Sequence, residues 1–178
     1  GNGHNTAIGS QSQRNATTGE FNTSLGSLSM GSGVTTGDNN VAVGYQSGYD
    51  LTSGTRNTFV GFQSGYEATT DTSNTAIGFR ALKSSKTSNN NVAIGDSALE
   101  ANVDGDGNVA IGYLAMRVFE PANGATNNVA IGNNAGNAMT TGVQNTLIGS
   151  AAGDALTTGG SNVIMGYAAG SSAVTSSD

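Results

Sequence analysis

The feature that most constrains this chain is a five-residue pattern that occurs ten times: Asn, then Thr or Val, a variable residue, an aliphatic residue and Gly. The copies begin at Asn5, Asn22, Asn40, Asn57, Asn74, Asn91, Asn108, Asn128, Asn145 and Asn162. From Gly9 to Gly166 the pattern glycines keep a spacing of 17, broken once by 18 (Gly26 to Gly44) and once by 20 (Gly112 to Gly132). Self-similarity at a short fixed period marks an architecture that stacks small units, each too small to bury a core alone. Composition agrees. Leu, Ile, Val and Phe together supply 32 of 178 residues, below the roughly 20% at which a conventional layered core becomes doubtful. The 28 Gly and 21 Asn are poor interior residues for ordinary helices and strands. A helical bundle or a doubly wound domain is excluded, and a disordered tract would not keep an aliphatic at the fourth position of every copy.

Other positions lock to the same phase. Three residues after each Gly comes a small residue, from Ser12 and Ser29 through Ala81, Ala98 and Ala115 to Ala169. Further on, most units carry a Thr/Ser pair and a turn former, as in Thr52-Ser53-Gly54 and Thr140-Thr141-Gly142. One unit therefore reads as a short strand, a Gly bend, a second extended stretch and a turn, with two strands of about five residues filling the period. Within the first strand the side chains alternate. Val or Thr and the aliphatic share one face; Asn, a usually small residue and Gly share the other. The expected fold is all-β: a parallel β-solenoid of about ten 17-residue coils over residues 1–178 as one domain, a rod of roughly 48 Å at the usual strand spacing. Its predicted ladders are an interior aliphatic column containing Ile77, Ile94, Ile111, Ile131 and Ile148, and an amide column containing Asn40, Asn57, Asn74, Asn91 and Asn108 that bonds coil to coil. A coil this thin buries little apolar surface against the entropy of ordering the whole unit. Several chains are therefore expected to pack side by side through the alanine and glycine columns, closed by cyclic symmetry.

At these residues the chain resembles the head repeats of YadA-like trimeric autotransporter adhesins, whose units read much like Asn-Val-Ala-Ile-Gly-x-x-Ala/Ser. It is equally similar to repeats of bacteriophage tail fibres, the style matched by Asn40 to Gly48, Asn57 to Gly65 and Asn128 to Gly136. The resemblance covers nearly the whole chain. It implies a left-handed parallel β-roll, an intertwined homotrimer on a surface fibre, and a role in attachment. The unit here is longer than that of the adhesin heads, with a larger Thr-Thr-Gly corner, which favours the phage-fibre version.

The remaining features narrow the function. Six Lys or Arg against twelve Asp or Glu leave a net charge of −6, with no basic footprint for nucleic acid. Without Cys and with only His4, thiolate chemistry and a multi-histidine metal site within one chain are excluded. No apolar run reaches the ~20 residues needed to cross a bilayer as a helix. The chain begins and ends in mid-pattern, and is expected to be part of a longer fibre.

The candidate ligand residues are aromatic. Tyr45, Phe62 and Phe79 follow the pattern Gly in consecutive coils, with Tyr49 and Tyr66 four residues further on in the first two of them. An exposed strip of this kind is a platform for sugar rings; alternatively the rings fill a seam between chains or cover a corner. The single Pro and the longest glycine interval mark a loop insertion near 117–127, whose Arg117 and Phe119 are further candidates, since insertions in solenoids often carry binding. Asp104-Gly105-Asp106-Gly107-Asn108 opens like a calcium loop, but its twelfth position is Ala115, and a plain Asp-Gly turn is favoured. Asp50 and Glu67 fall at one phase, the geometry of a glycosidase pair, yet nothing else of such a site accompanies them. The leading expectation is a non-catalytic attachment module without cofactor or metal: a homotrimeric shaft or head segment of a phage tail fibre or bacterial surface adhesin. It would be extracellular and bind a host cell-surface glycan or protein. A glycan depolymerase and an ice-binding solenoid built on the Thr columns are the alternatives.

Overall fold

The computed structural model describes residues 3–121 and 124–172, with only the backbone of Ala125. Ten three-residue strands follow the pattern: β1 Thr6–Ile8, β2 Thr23–Leu25, β3 Val41–Val43, β4 Thr58–Val60, β5 Thr75–Ile77, β6 Val92–Ile94, β8 Val109–Ile111, β10 Val129–Ile131, β11 Thr146–Ile148 and β12 Val163–Met165. Two shorter strands, β7 Gly105–Asp106 and β9 Gly124–Ala125, pair with each other. The ten form one sheet in chain order, each parallel to the next. Thr58, Phe59 and Val60 lie opposite Thr75, Ala76 and Ile77, a displacement of one repeat. The longer intervals are absorbed in the corners, because β2–β3 and β8–β10 keep the same phase. The chain is an all-β parallel solenoid in which an ordinary turn spans the sequence separation of 17 between Asn57 and Asn74.

The second side of each coil differs from the expected five-residue strand. After the pattern Gly the backbone passes through two left-handed residues separated by one small residue, as at Arg80 and Leu82 (both φ 52°) or Ser97 (φ 55°) and Leu99 (φ 52°). Alternating left-handed residues cannot continue a pleat. The wall is nonetheless hydrogen-bonded between coils: the Leu82 N–H donates to the Ala98 carbonyl at 3.0 Å and the Leu99 N–H to that of Ala115 at 3.1 Å. Among the described residues extended pairing on this side survives only as β7–β9 and as isolated bridges of Thr72 with Thr55 and with Asn89.

Side chains alternate along each strand as the pattern requires, but the faces are reversed. Asn and the middle residue point into the lumen: Asn40, Asn57, Asn91 and Asn108 are buried, as are Ala76, Ala93, Ala110 and Phe59. The aliphatic column lies on the outer face, with Ile77 38% exposed and Ile94, Ile111, Ile131 and Ile148 half-buried. Lumen width is the reason. A Cβ on Gly48, on the facing wall, would sit 3.6 Å from the Ala42 Cβ and 3.0 Å from the Phe59 ring. With facing walls this close, and an amide occupying each Asn position, six of the ten coils carry Ala at the middle strand position. An acid at Ile94 or Ile111 would consequently meet solvent rather than an apolar interior. The small column is internal too: Ala81, Ala98, Ala115, Ala135 and Ala152 are buried within their own chain and cannot be the surface through which chains pack.

Two ladders hold the lumen. Each Asn Oδ1 accepts the backbone N–H of the next coil's Asn, 3.0 Å from Asn57 to Asn74 and 2.8 Å from Asn91 to Asn108. Each Nδ2 donates to a corner carbonyl, that of Asp71 at 2.7 Å from Asn57 and that of Gly105 at 2.8 Å from Asn91. Serines of the small column donate to strand carbonyls one coil on: Ser29 to Ala42 at 2.9 Å, Ser47 to Phe59 at 2.8 Å and Ser64 to Ala76 at 2.8 Å. Apolar volume is then shared between two positions. Ala76, Ala93 and Ala110 occur with Leu82, Leu99 and Met116 six residues later, whereas Phe59, Leu147 and Ile164 occur with Gly65, Gly153 and Gly170. Close packing enforces the exchange, since a Cβ on Gly65 would lie 2.6 Å from the Phe59 ring.

Candidate functional site

The outer face of the ten-stranded sheet carries two columns: Val or Thr at the first strand position and an aliphatic at the third. None of these twenty positions is charged. In a chain of net charge −6 this is an uncharged strip, half-buried in the middle coils and most exposed at the end strands, where Ile8 and Met165 stand 58% and 63% exposed.

Beside it, across the pattern Gly, runs a third column. Tyr45, Phe62 and Phe79 are exposed and stacked, with centroids 5.6 Å apart for Tyr45–Phe62 and 5.1 Å for Phe62–Phe79. The Arg80 guanidinium sits 5.0 Å from the Phe79 centroid and 3.9 Å from the Glu100 carboxylate. The coil-to-coil repeat builds this stack, since the strand spacing of ~4.8 Å is close to the distance at which offset aromatic rings attract. The faces that would receive a sugar ring are taken by neighbouring rings, so inside the stack it is ring edges that face solvent.

Tyr49 and Tyr66 form a second stacked pair, 5.1 Å apart and within 5° of parallel, and both are half-buried. Burial, then the Asp50 carboxylate, the Tyr49 phenol, the Glu67 carboxylate and the Tyr45 phenol hold the Tyr66 phenol above the ordinary tyrosine range. The sequence thus placed five aromatics together, and the structure sorts them into an exposed column of three and a partly covered pair. Glu67 lies 4.0 Å from the Lys83 ammonium, and no pocket forms among the described residues.

The insertion candidates separate. Arg117 is exposed, but Phe119 is fully buried, a correction to its reading as a ligand residue. It falls seven residues after the pattern Gly, as do Leu51, Met139 and Leu156, which also fill the lumen. The Glu120 N–H donates to the Thr140 carbonyl at 2.9 Å and Gly124–Ala125 pair with Gly105–Asp106; residues 122 and 123 of the insertion lie outside the described residues. In the calcium-like turn the Asp106 Oδ1 accepts the Asn89 N–H at 2.6 Å and the Asp104 Oδ1 accepts the Thr87 hydroxyl, so both acids tie corners together. Among the described residues no three metal-ligating side chains of the His, Cys, Asp or Glu type converge. Corner threonines are likewise bonded within the chain: Thr52 donates to the Thr69 carbonyl at 2.9 Å and Thr69 to that of Lys86 at 2.7 Å.

Sequence reasoning missed a buried acid. Asp71 has no exposed surface; its Oδ1 accepts the Ser85 hydroxyl at 2.9 Å, while its Oδ2 has no partner. Burial raises its carboxyl to about 7, against the lowering effect of hydrogen bonds from Ser85 and from the Ser88 backbone, with the Asp104 and Asp106 charges adding to the rise. The signal was available: Asp71 stands where the preceding coil has Gly54 and the following one Ser88, and Ser85 and Asn102 interrupt the inward column of Leu51, Ala68 and Phe119.

Comparison of the chain with family models, with curated proteins and with solved structures finds no match.

Proposed function

We propose that this chain is a non-catalytic attachment module, a rigid segment of an extracellular fibre of the phage-tail or bacterial-adhesin kind, in which three copies pack as a left-handed homotrimeric roll and present a host-binding surface. The observation that carries the reading is the uncharged sheet face. Twenty Val, Thr, Ile, Leu and Met positions run along one side of the rod, all half-buried or exposed and with no layer of the described residues over them, and large uncharged, mainly apolar patches of this kind mark interaction surfaces. The strip runs roughly 43 Å over nine strand spacings and is roughly 10 Å wide across its three-residue strands, so it offers roughly 430 Å², about half of the ~800 Å² per partner of a standard stable interface, and the columns beside it would supply the rest. A second copy meets it with an equally uncharged face, so no like charges are brought together. Three copies in parallel would display each surface site threefold, giving avidity to contacts that are weak singly.

The native mass in solution tests the assembly: three times 17.6 kDa is expected, and a monomer at micromolar concentration would overturn it. Retention of the trimer on a glycan array or on host cells tests attachment; sugar release from host capsule would point to the depolymerase instead, and thermal hysteresis to the ice binder.

A further inference from the structure

The strand ladders are almost unchanged by a shift of one coil. Val92-Ala93-Ile94 and Val109-Ala110-Ile111 are identical, and Val129-Ala130-Ile131 repeats them again. Two copies joined only through the Val/Thr and aliphatic columns would find nearly the same contacts after sliding by ~4.8 Å, because register is poorly specified by flat, repetitive strands. A fibre whose three chains must end level needs something aperiodic in the seam.

The column after the pattern Gly is aperiodic. It reads Ser10, Ser27, Tyr45, Phe62, Phe79, Asp96, Tyr113, Asn133, Ser150 and Tyr167. It stands two residues beyond the aliphatic column, and Tyr45, Phe62, Phe79 and Tyr113 are all exposed. The three-ring block is rigid, because its members stack on one another and Arg80 covers Phe79. Its ring faces are used internally, and what it offers a neighbour is a row of apolar edges ended by the exposed carboxylate of Asp96.

We infer that this aromatic block sets the axial register in which copies of the chain pack, the occupant of the surface being the same block of a second copy. The inference rests on the trimer reading above. In register, three rings meet three rings. A slip of one coil in either direction leaves two ring levels matched, and sets a Phe79 of one copy at the level of Asp96 of the other and a Tyr45 at the level of Ser27. Each slip costs two ring edges their apolar partners, which outweighs the screened repulsion between the exposed Asp96 carboxylates that share a level in register, so slipped assemblies are selected against.

The test is a crosslink map. Benzoylphenylalanine placed at Tyr113 is irradiated in assemblies of mixed isotope-labelled and unlabelled chains, and crosslinks joining the two isotopes are located. The unaltered block should give interchain crosslinks to one coil level. Phe62→Ser with Phe79→Ser should spread them to levels displaced by whole coils. Asp96→Phe removes no apolar group and should spread them as well, because it joins Tyr45 to Tyr113 in a run of five aromatics that slips with less loss. Crosslinks confined within chains, in an assembly of trimeric mass, would overturn the inference while leaving the trimer standing. A single level retained in both variants would overturn it too, and a monomeric mass would remove the trimer reading itself along with the inference.

Discussion

Two stretches of the same lumen, barely one coil apart, are filled in opposite ways. Around β4 the interior is apolar and tight: the Phe59 ring lies between Gly48 and Gly65, where added Cβ atoms would come within 3.0 Å and 2.6 Å of it. At the far wall of the next coils the interior is polar: Asp71, Ser85, Ser88 and Asn102 are all buried, and one oxygen of Asp71 is unpartnered. The winding is the same through both, with Asn57 bonded to Asn74 and Asn74 to Asn91 at 3.0 and 2.9 Å. The path of the chain is thus set by backbone and amide ladders, which tolerate either filling. Stability is set by the filling, and is uneven along the rod.

Phe59→Ala, in the apolar stretch, is expected to cost most. Two glycines cannot close over the space, and urea unfolding should show a loss of about 3–5 kcal/mol, the usual range for an uncollapsed aromatic cavity. Adding Gly65→Leu should recover part of it, since Leu82 and Leu99 hold the same left-handed position beside Ala76 and Ala93; no recovery would mean that volume is not exchanged between the two sites.

Asp71→Asn tests the polar stretch. The folded carboxyl titrates near 7 and the unfolded one near 3.8. The folded chain therefore holds a proton that the unfolded chain has released throughout that window. Stability contributed by the neutral acid is complete below pH ~3.8, falls as pH rises towards 7 and is flat beyond. The amide should remove this decline and stabilise the chain at pH 8 by on the order of 2–4 kcal/mol, since each pH unit between the two titration points is worth about 1.36 kcal/mol. Parallel melting curves of the two proteins at pH 4 and pH 8 would contradict the assignment.

The ladder common to both regions is probed by Asn91→Ala. It strips the buried Asn108 N–H of its acceptor, while the Gly105 carbonyl keeps the Asn102 amide. A loss of about 1–3 kcal/mol is expected by denaturant titration, the desolvation penalty of one orphaned donor. Smallest for the single chain is Ile94→Asp, on the outer face, which should change coil stability by less than ~1 kcal/mol. Its effect should instead appear in the native mass, as loss of the assembly.

Several features were legible in the residues alone. The interval between glycines predicted a coil, parallel pairing and its register, because only winding returns the same residue to the same place every turn. The ten asparagines marked a ladder, because a side chain that carries both donor and acceptor can bond identical copies of itself. The hidden parts were those where a pattern is symmetric or local. Strict alternation defines two faces but not which is inside; the usual preference for burying aliphatics misassigned Ile94 and Ile111, since the facing wall already fills the lumen with large side chains such as Leu82, Leu99 and Met116. Phe119 resembled a loop residue until its phase placed it with Leu51 and Leu156. Asp71 could be seen to replace a glycine, but not to lie where burial keeps it protonated.

The residue pattern alone sets the period and everything periodic: coil length, strand pairing and the columns of like residues. Direction comes only with folding, namely which column faces the lumen and which acid loses its water. Direction depends on the distance between walls that the chain meets only after it has closed a turn, and no stretch of residues shorter than two coils contains that distance.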